Sequence, residues 1–175
     1  MLPGRLVGPA ARRRRAMNQT LRYKRSTYEV RVQRLNESPG SLRINSPEDG
    51  VSYWKEKVAF APWYDPEKEM LVVLTVNTRH VVTGHAMVSL GTLNECIAHP
   101  RDIFRPAVAL GAYGILLMHN HPSGDPTPSG ADRHLTRKIT EGGRCLQICF
   151  LDHVIVGTGT SLESNHFSFK QAGLM

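Results

Sequence analysis

His119 and His121 stand two residues apart, directly after the apolar run Gly114-Ile115-Leu116-Leu117-Met118, and Asp132 closes the stretch HNHPSGDPTPSGAD that they open. In an extended chain, residues two apart point to the same face, so the two imidazoles can aim at one point. Asp132 adds an oxygen to them if the proline-stiffened loop from Pro122 to Pro128 folds the start of the next helix back toward the strand end. Two imidazole nitrogens and one carboxylate suit a tetrahedral zinc ion whose fourth position stays open to water, the layout of a hydrolytic rather than a structural site.

Plainer readings apply to the same residues. Histidines often serve as satisfied core or surface groups, and Ser129-Gly130-Ala131-Asp132 also fits a helix-capping pair in which the serine caps and the acid reaches back. Two polar rings directly after an apolar run are nevertheless costly to bury without partners, so something must satisfy them. His80, His85, His99, His134 and His166 stand in no comparable constellation and read as ordinary, while His153, next to Asp152, is left open. Cys145 and Cys149 read as small buried hydrophobes sharing a strand face rather than as a redox pair. There is no Gly-x-Ser-x-Gly elbow, phosphate-cradling loop or His-Glu-x-x-His helix, and Gly157-Thr158-Gly159 lacks the third glycine of a dinucleotide site.

The elements that must position these groups can be read from periodicity. Thr27 to Val32 alternates like a half-exposed strand. Ser46-Pro47-Glu48-Asp49 offers a cap, a proline at the first helical position and an acid three residues after the cap, followed by Val51, Trp54 and Val58, which predicts a helix over about Pro47 to Val58. Met70 to Val76 and Val81 to Ser89 are rich in β-branched residues and flank Asn77-Thr78-Arg79-His80, as a hairpin would. Ile103, Phe104 and Val108 suggest a helix that Pro106 weakens. Gly114 to Met118 reads as a strand buried on both faces. Ala131, Leu135 and Ile139 mark a helix that Gly142-Gly143 would terminate, and Cys145 to Val156 reads as a last strand region broken around Asp152-His153. The fold class expected is α/β, a mixed sheet flanked by helices.

The chain has 175 residues, 41% hydrophobic and 21% charged, enough for one ordinary core. It contains no apolar run near the roughly 18 residues of a membrane span, no internal repeat, and three cysteines, too few for a disulfide framework. A cytoplasmic location is the expectation. Of the 22 basic residues five lie in the first 16, where there is no acid, so the net charge of +7 falls to +2 in the remainder. That leader has its Arg12–Arg15 run after its apolar patch, the reverse of a signal peptide. It reads as a disordered extension, or as a product of start-codon choice with Met17 as the true start. A basic arm that touches nucleic-acid phosphates is the alternative. The organisation expected is a leader over residues 1–17, a strand and loop extension over 18–46 and one domain over 47–175.

His119-x-His121, seven residues, Ser129, two residues and Asp132 together resemble the JAMM motif of the RadC-like branch of the JAB/MPN domain family. Gly91-Thr92-Leu93-Asn94, His99 to Phe104, His119 to Pro126 and Leu151 to Ile155 share in the resemblance, which spans roughly residues 47–173. It implies a cytidine-deaminase-like metalloprotease fold in which His119, His121 and Asp132 ligate Zn2+. It implies further that Glu69, with Glu67 as the fallback, is the general acid/base for the zinc-bound water, and that Ser129 stabilises the oxyanion. Hydrolysis of a peptide or isopeptide bond in a peptide or protein substrate is the implied reaction. Longer relatives carry a helical N-terminal region that residues 18–46 do not resemble, so a DNA-binding role for that region does not carry over. The rival function is a non-catalytic, DNA-repair-associated protein using the basic leader; a metal-binding interaction domain is a third reading.

Overall fold

A computed structural model describes residues 42–91, 98–157 and 165–175. The leader, the strand expected over Thr27 to Val32 and the turn residues Thr92-Leu93-Asn94 lie outside the described residues.

The serine and acid expected to open the first helix form a complete capping box: Ser46 Oγ accepts the Asp49 N–H, and Asp49 Oδ2 accepts the Ser46 N–H. Helix α1 (Pro47–Tyr53) passes into a π-helical turn over Trp54–Val58, closed by the Ala59 N–H on the Trp54 carbonyl. The expected helix is thus present over its full length, but its last turn is wound more widely than an α-helix. Strand β1 (Met70–Val76) is buried at every position and pairs antiparallel with β2 (Val82–Leu90), whose half-exposed pattern suits an edge strand. The turn between them is held by Asn77 Oδ1, which accepts the Arg79 and Val81 N–H groups, with His80 at φ 58°.

Helix α2 (Pro100–Leu110) runs through Pro106. The proline removes one backbone donor, but Ile103, Phe104 and Ala107 are buried against the sheet, and that packing holds the helix. Strand β3 (Gly114–Asn120) extends two residues beyond its apolar run to include His119. Helix α3 (Gly130–Leu146) does not stop at Gly142-Gly143 and ends instead with Gln147 in the left-handed conformation. The two glycines serve close packing: a Cβ on Gly142 would lie 2.8 Å from Phe104 Cε2, and one on Gly143 2.8 Å from the Ile148 carbonyl oxygen.

Strand β4 (Cys149–Val156) is continuous through Asp152-His153, because both polar groups find partners inside the protein. Its start moves Cys145 into α3, where it is exposed, so the two cysteines share no strand face. A short β5 (His166–Ser168) completes a five-stranded sheet of order β2-β1-β3-β4-β5, antiparallel except for the β3–β4 pair. Met70, Val72, Leu74, Leu116 and Met118 face α1 and the π turn, whereas Leu71, Val73, Ile115 and Leu117 face α2 and α3. A fully buried side chain of this kind stabilises a fold by about 1.5–3 kcal/mol, so a central strand buried on both faces strongly favours one register. Among the described residues no helix is long and apolar enough to cross a membrane.

Candidate metal centre

The sheet registers determine what meets at the carboxyl end of β3. Leu71 pairs with His119, so the β1–β3 ladder brings Glu69, just before β1, to the end of the sheet where His119 and His121 stand. His119 is fully buried on the face that α3 covers, and His121 lies one residue beyond the strand, where its N–H donates to the Val156 carbonyl. The loop that follows packs down on β4: a Cβ on Gly157 would lie 2.6 Å from the Gly124 carbonyl oxygen, so that glycine permits a backbone approach.

The loop then delivers α3 with Asp132 in its first turn. Ser129 caps the helix, accepting the Asp132 N–H on its Oγ at 3.2 Å, while Asp132 Oδ2 accepts the Ser129 N–H at 2.8 Å and hydroxyl at 2.6 Å. Asp132, Thr136, Ile139 and Gly143 form the buried stripe of α3, at spacings that keep one helix face against the sheet. The capping pair and the candidate ligand are therefore the same residue. Asp132 Oδ1 stands 3.2 Å from His119 Nε2, Oδ2 stands 3.6 Å from His121 Nε2, and the two Nε2 atoms are 3.1 Å apart.

The chemistry of this set fits a cation. His121 Nδ1 lies 2.7 Å from the Asp125 carbonyl, an obligate acceptor, so Nδ1 carries a proton and Nε2 is left for a proton or a metal ion. Burial alone would raise the Asp132 carboxyl, but its contacts with His119, His121 and the Ser129 hydroxyl outweigh that and hold the group far below the usual carboxylate range. Its hydrogen bond to His121 raises that imidazole in turn. An ionised carboxylate facing two Nε2 atoms calls for positive charge between them. Among the described residues His119, His121 and Asp132 form the one cluster able to supply three such ligands, all within 4.8 Å of one another. The set supplies three protein ligands, the number of a catalytic zinc site.

Glu69 is half-buried beside this cluster. Burial pushes its carboxyl up, opposed by the nearby His119 and His121 and reinforced by Asp132. Glu67 is exposed in the preceding turn, its N–H on Asp65 Oδ1, so Glu69 is the acid at the centre. The segment that carries Glu69 is held from the other side: Asn120 Oδ1 accepts the Met70 N–H at 3.0 Å, and Asn120 Nδ2 donates to the Lys68 carbonyl at 3.0 Å.

Asn120 was not singled out from the sequence, although its place between the two histidines was a usable signal. Thr136 was also missed; its spacing of one helical turn from Asp132 was the clue. His153, left open above, is fully buried with Nε2 2.9 Å from His119 Nδ1, and burial holds it well below the usual histidine range. The histidines read as ordinary lie outside the cluster: His85 bonds the Tyr53 hydroxyl at 2.7 Å, His80 stacks on Tyr113, His166 faces Glu48, and His99, at the start of α2, and His134, beside Arg137 on α3, are exposed.

Residues 44–174 match the RadC-like JAB domain. A UPF0758 protein of Desulfitobacterium hafniense is 37% identical over 132 residues, covering 75% of this chain and 54% of its own length. One from Geobacillus is 40% identical over 143 residues, 82% of this chain and 58% of its own length, and one from Trichlorobacter lovleyi is 42% identical over 111 residues. The chain spans about half the length of the curated relatives it matches.

Proposed function

This chain belongs to the RadC-like JAB domain family, and we propose that it is a zinc-dependent hydrolase of peptide or isopeptide bonds, with a peptide or protein as its substrate. The observation that carries the proposal is the convergence of His119 and His121 Nε2 with both Asp132 oxygens, beside a half-buried Glu69 that no other side chain has claimed as an ion-pair partner among the described residues. A zinc ion held by these three ligands would polarise the scissile carbonyl and lower the pKa of a water toward about 7.

The protein's own groups divide the remaining work. Glu69 takes a proton from the attacking water and returns it to the leaving amine, a task suited to a carboxyl that burial pushes above the usual carboxylate range. Asn120 holds the backbone on both sides of Glu69 and so keeps the carboxylate over the cluster. Ser129 is the donor for the oxyanion, a role that requires its proton to leave Asp132 for the substrate.

The test uses elemental analysis with a peptide and isopeptide library. The parent is expected to hold about one zinc per chain, Glu69→Gln to hold zinc and lose turnover, and His121→Ala to lose both. A zinc-loaded parent that cleaves no member of the library, or a fully active Glu69→Gln, would overturn the proposal. A salt-sensitive DNA complex lost on deleting residues 1–16 of such an inactive protein would instead favour the nucleic-acid reading.

A further inference from the structure

Thr136 Oγ1 lies 2.7 Å from the Asp132 backbone carbonyl and 2.7 Å from His153 Nδ1. A carbonyl only accepts, so the single hydroxyl proton goes to Asp132, and the hydroxyl oxygen must accept from His153. His153 Nδ1 therefore carries a hydrogen. With one ring proton placed there, Nε2 has a bare lone pair, and its hydrogen-bond partner among the described residues is His119 Nδ1 at 2.9 Å. His119 Nδ1 must donate, which leaves His119 Nε2 bare and facing His121 and Asp132.

The His153 ring is also prevented from turning over. It stacks on Phe169 with centroids 4.8 Å apart and planes 10° from parallel, and both residues are fully buried. The Phe169 N–H donates to the His153 carbonyl at 3.0 Å, tying the stacking partner to the same backbone. A half-turn of the ring would put carbon where each nitrogen now stands and break both hydrogen bonds.

We propose that Thr136 and His153 form a directional hydrogen-bond relay, from His119 through His153 and Thr136 to the Asp132 carbonyl, that locks His119 in the tautomer presenting a bare Nε2 to the metal. Both are positioning residues acting through His119. The relay begins on one ligand and ends on the backbone of another, so it also couples the orientation of His119 to the first turn of α3. Partners of this kind orient metal-bound imidazoles and tune their affinity. Here the partner of the ligand is a second, neutral histidine rather than a carboxylate, which adds no further negative charge to a centre that already holds Asp132 and Glu69. The significance for zinc rests on the metal-site reading above; the tautomer does not.

The experiment is long-range 15N–1H correlation of histidine side chains in the 175-residue chain, metal-free and zinc-loaded, combined with zinc affinity from chelator competition. His119 and His153 are both expected as Nδ1–H tautomers before any metal is added. His153→Phe, which keeps the stacking on Phe169 but removes the acceptor, is expected to let His119 populate both tautomers and to weaken zinc binding 10- to 100-fold. Thr136→Val should weaken it less, and His153→Gln, whose amide oxygen can accept from His119, should restore most of the affinity. His119 as an Nε2–H tautomer in the metal-free parent would overturn the relay, as would unchanged zinc affinity in a folded His153→Phe protein. A parent showing both Nδ1–H tautomers yet binding no zinc would support the relay and overturn the metal-site reading.

Discussion

The Ser129 hydroxyl lies 2.6 Å from Asp132 Oδ2, and the other oxygen of that carboxylate faces His119 Nε2 at 3.2 Å. One side chain thus completes the capping box of α3 and supplies the oxygen ligand of the candidate metal centre. Helix folding and site assembly are the same event at this position.

Removing the hydroxyl separates the two roles. Ser129→Ala should lower stability by about 1 kcal/mol through loss of the cap while still binding one zinc, because Asp132 itself remains. Asp132→Ala should lose most zinc affinity as well as the cap. Thermal unfolding with and without zinc checks both: the stabilisation by zinc should survive in the first variant and vanish in the second.

Asn120 is expected to matter for turnover more than for metal. Asn120→Asp keeps an acceptor for the Met70 N–H but turns a second oxygen on the Lys68 carbonyl, where the amide now donates. Leaving buried groups mismatched costs about 1–3 kcal/mol, and the chain around Glu69 should shift. The expected result is zinc content near that of the parent with a loss of turnover like that of Glu69→Gln. Retained turnover would show that Glu69 is positioned without this clasp.

Protons and metal should compete at His121. Its hydrogen bond to Asp132 raises the imidazole above its usual range, so below that raised value Nε2 carries a proton that a metal ion must displace. Apparent zinc affinity should therefore climb with pH, starting to level off only at a higher pH than an ordinary histidine of about 6.5 would give. Calorimetric titrations in buffers of different ionisation enthalpy should record proton release on binding at the lower pH values, and less of it above the raised value.

Gly143→Ala offers a stability test with a sign opposite to helix propensity. In a free helix the change would help by about 1 kcal/mol, but here the new methyl would stand 2.8 Å from the Ile148 carbonyl oxygen, a backbone atom that cannot swing away. Net destabilisation of about 1–3 kcal/mol is expected, as for other overpacked interiors. Equilibrium denaturation provides the measurement, and a stabilised variant would show that the α3–β4 connection relaxes freely.

Much of this protein can be read from its residues alone, wherever the controlling relation is local. The capping box at Ser46 and Asp49, the hairpin around Asn77, the buried strand before His119 and the pairing of two histidines at spacing two all follow from the periods of helix and strand. Misreadings arose where a local signal competed with packing. Gly142-Gly143 looked like a helix stop but allows close contact with Phe104 and Ile148, and Asp152-His153 looked like a strand break because the partners that satisfy them lie in β5, α3 and β3.

The candidate ligand set is thus a property of the sequence, and its completion is a property of the fold. Spacing could offer Asp132 as a third ligand, but only the Gly124–Gly157 contact and the buried stripe of α3 bring that carboxylate to the strand end. Likewise Glu69 was named by resemblance; the pairing of β1 with β3 is what brings it to the end of the sheet that holds the histidines. His153 had no local signature, because it meets Thr136 and His119 across elements whose separation in the chain carries no period. Period fixes the direction of a side chain within an element, whereas register and docking depend on burying both faces of the sheet at once, and that is decided by the whole core.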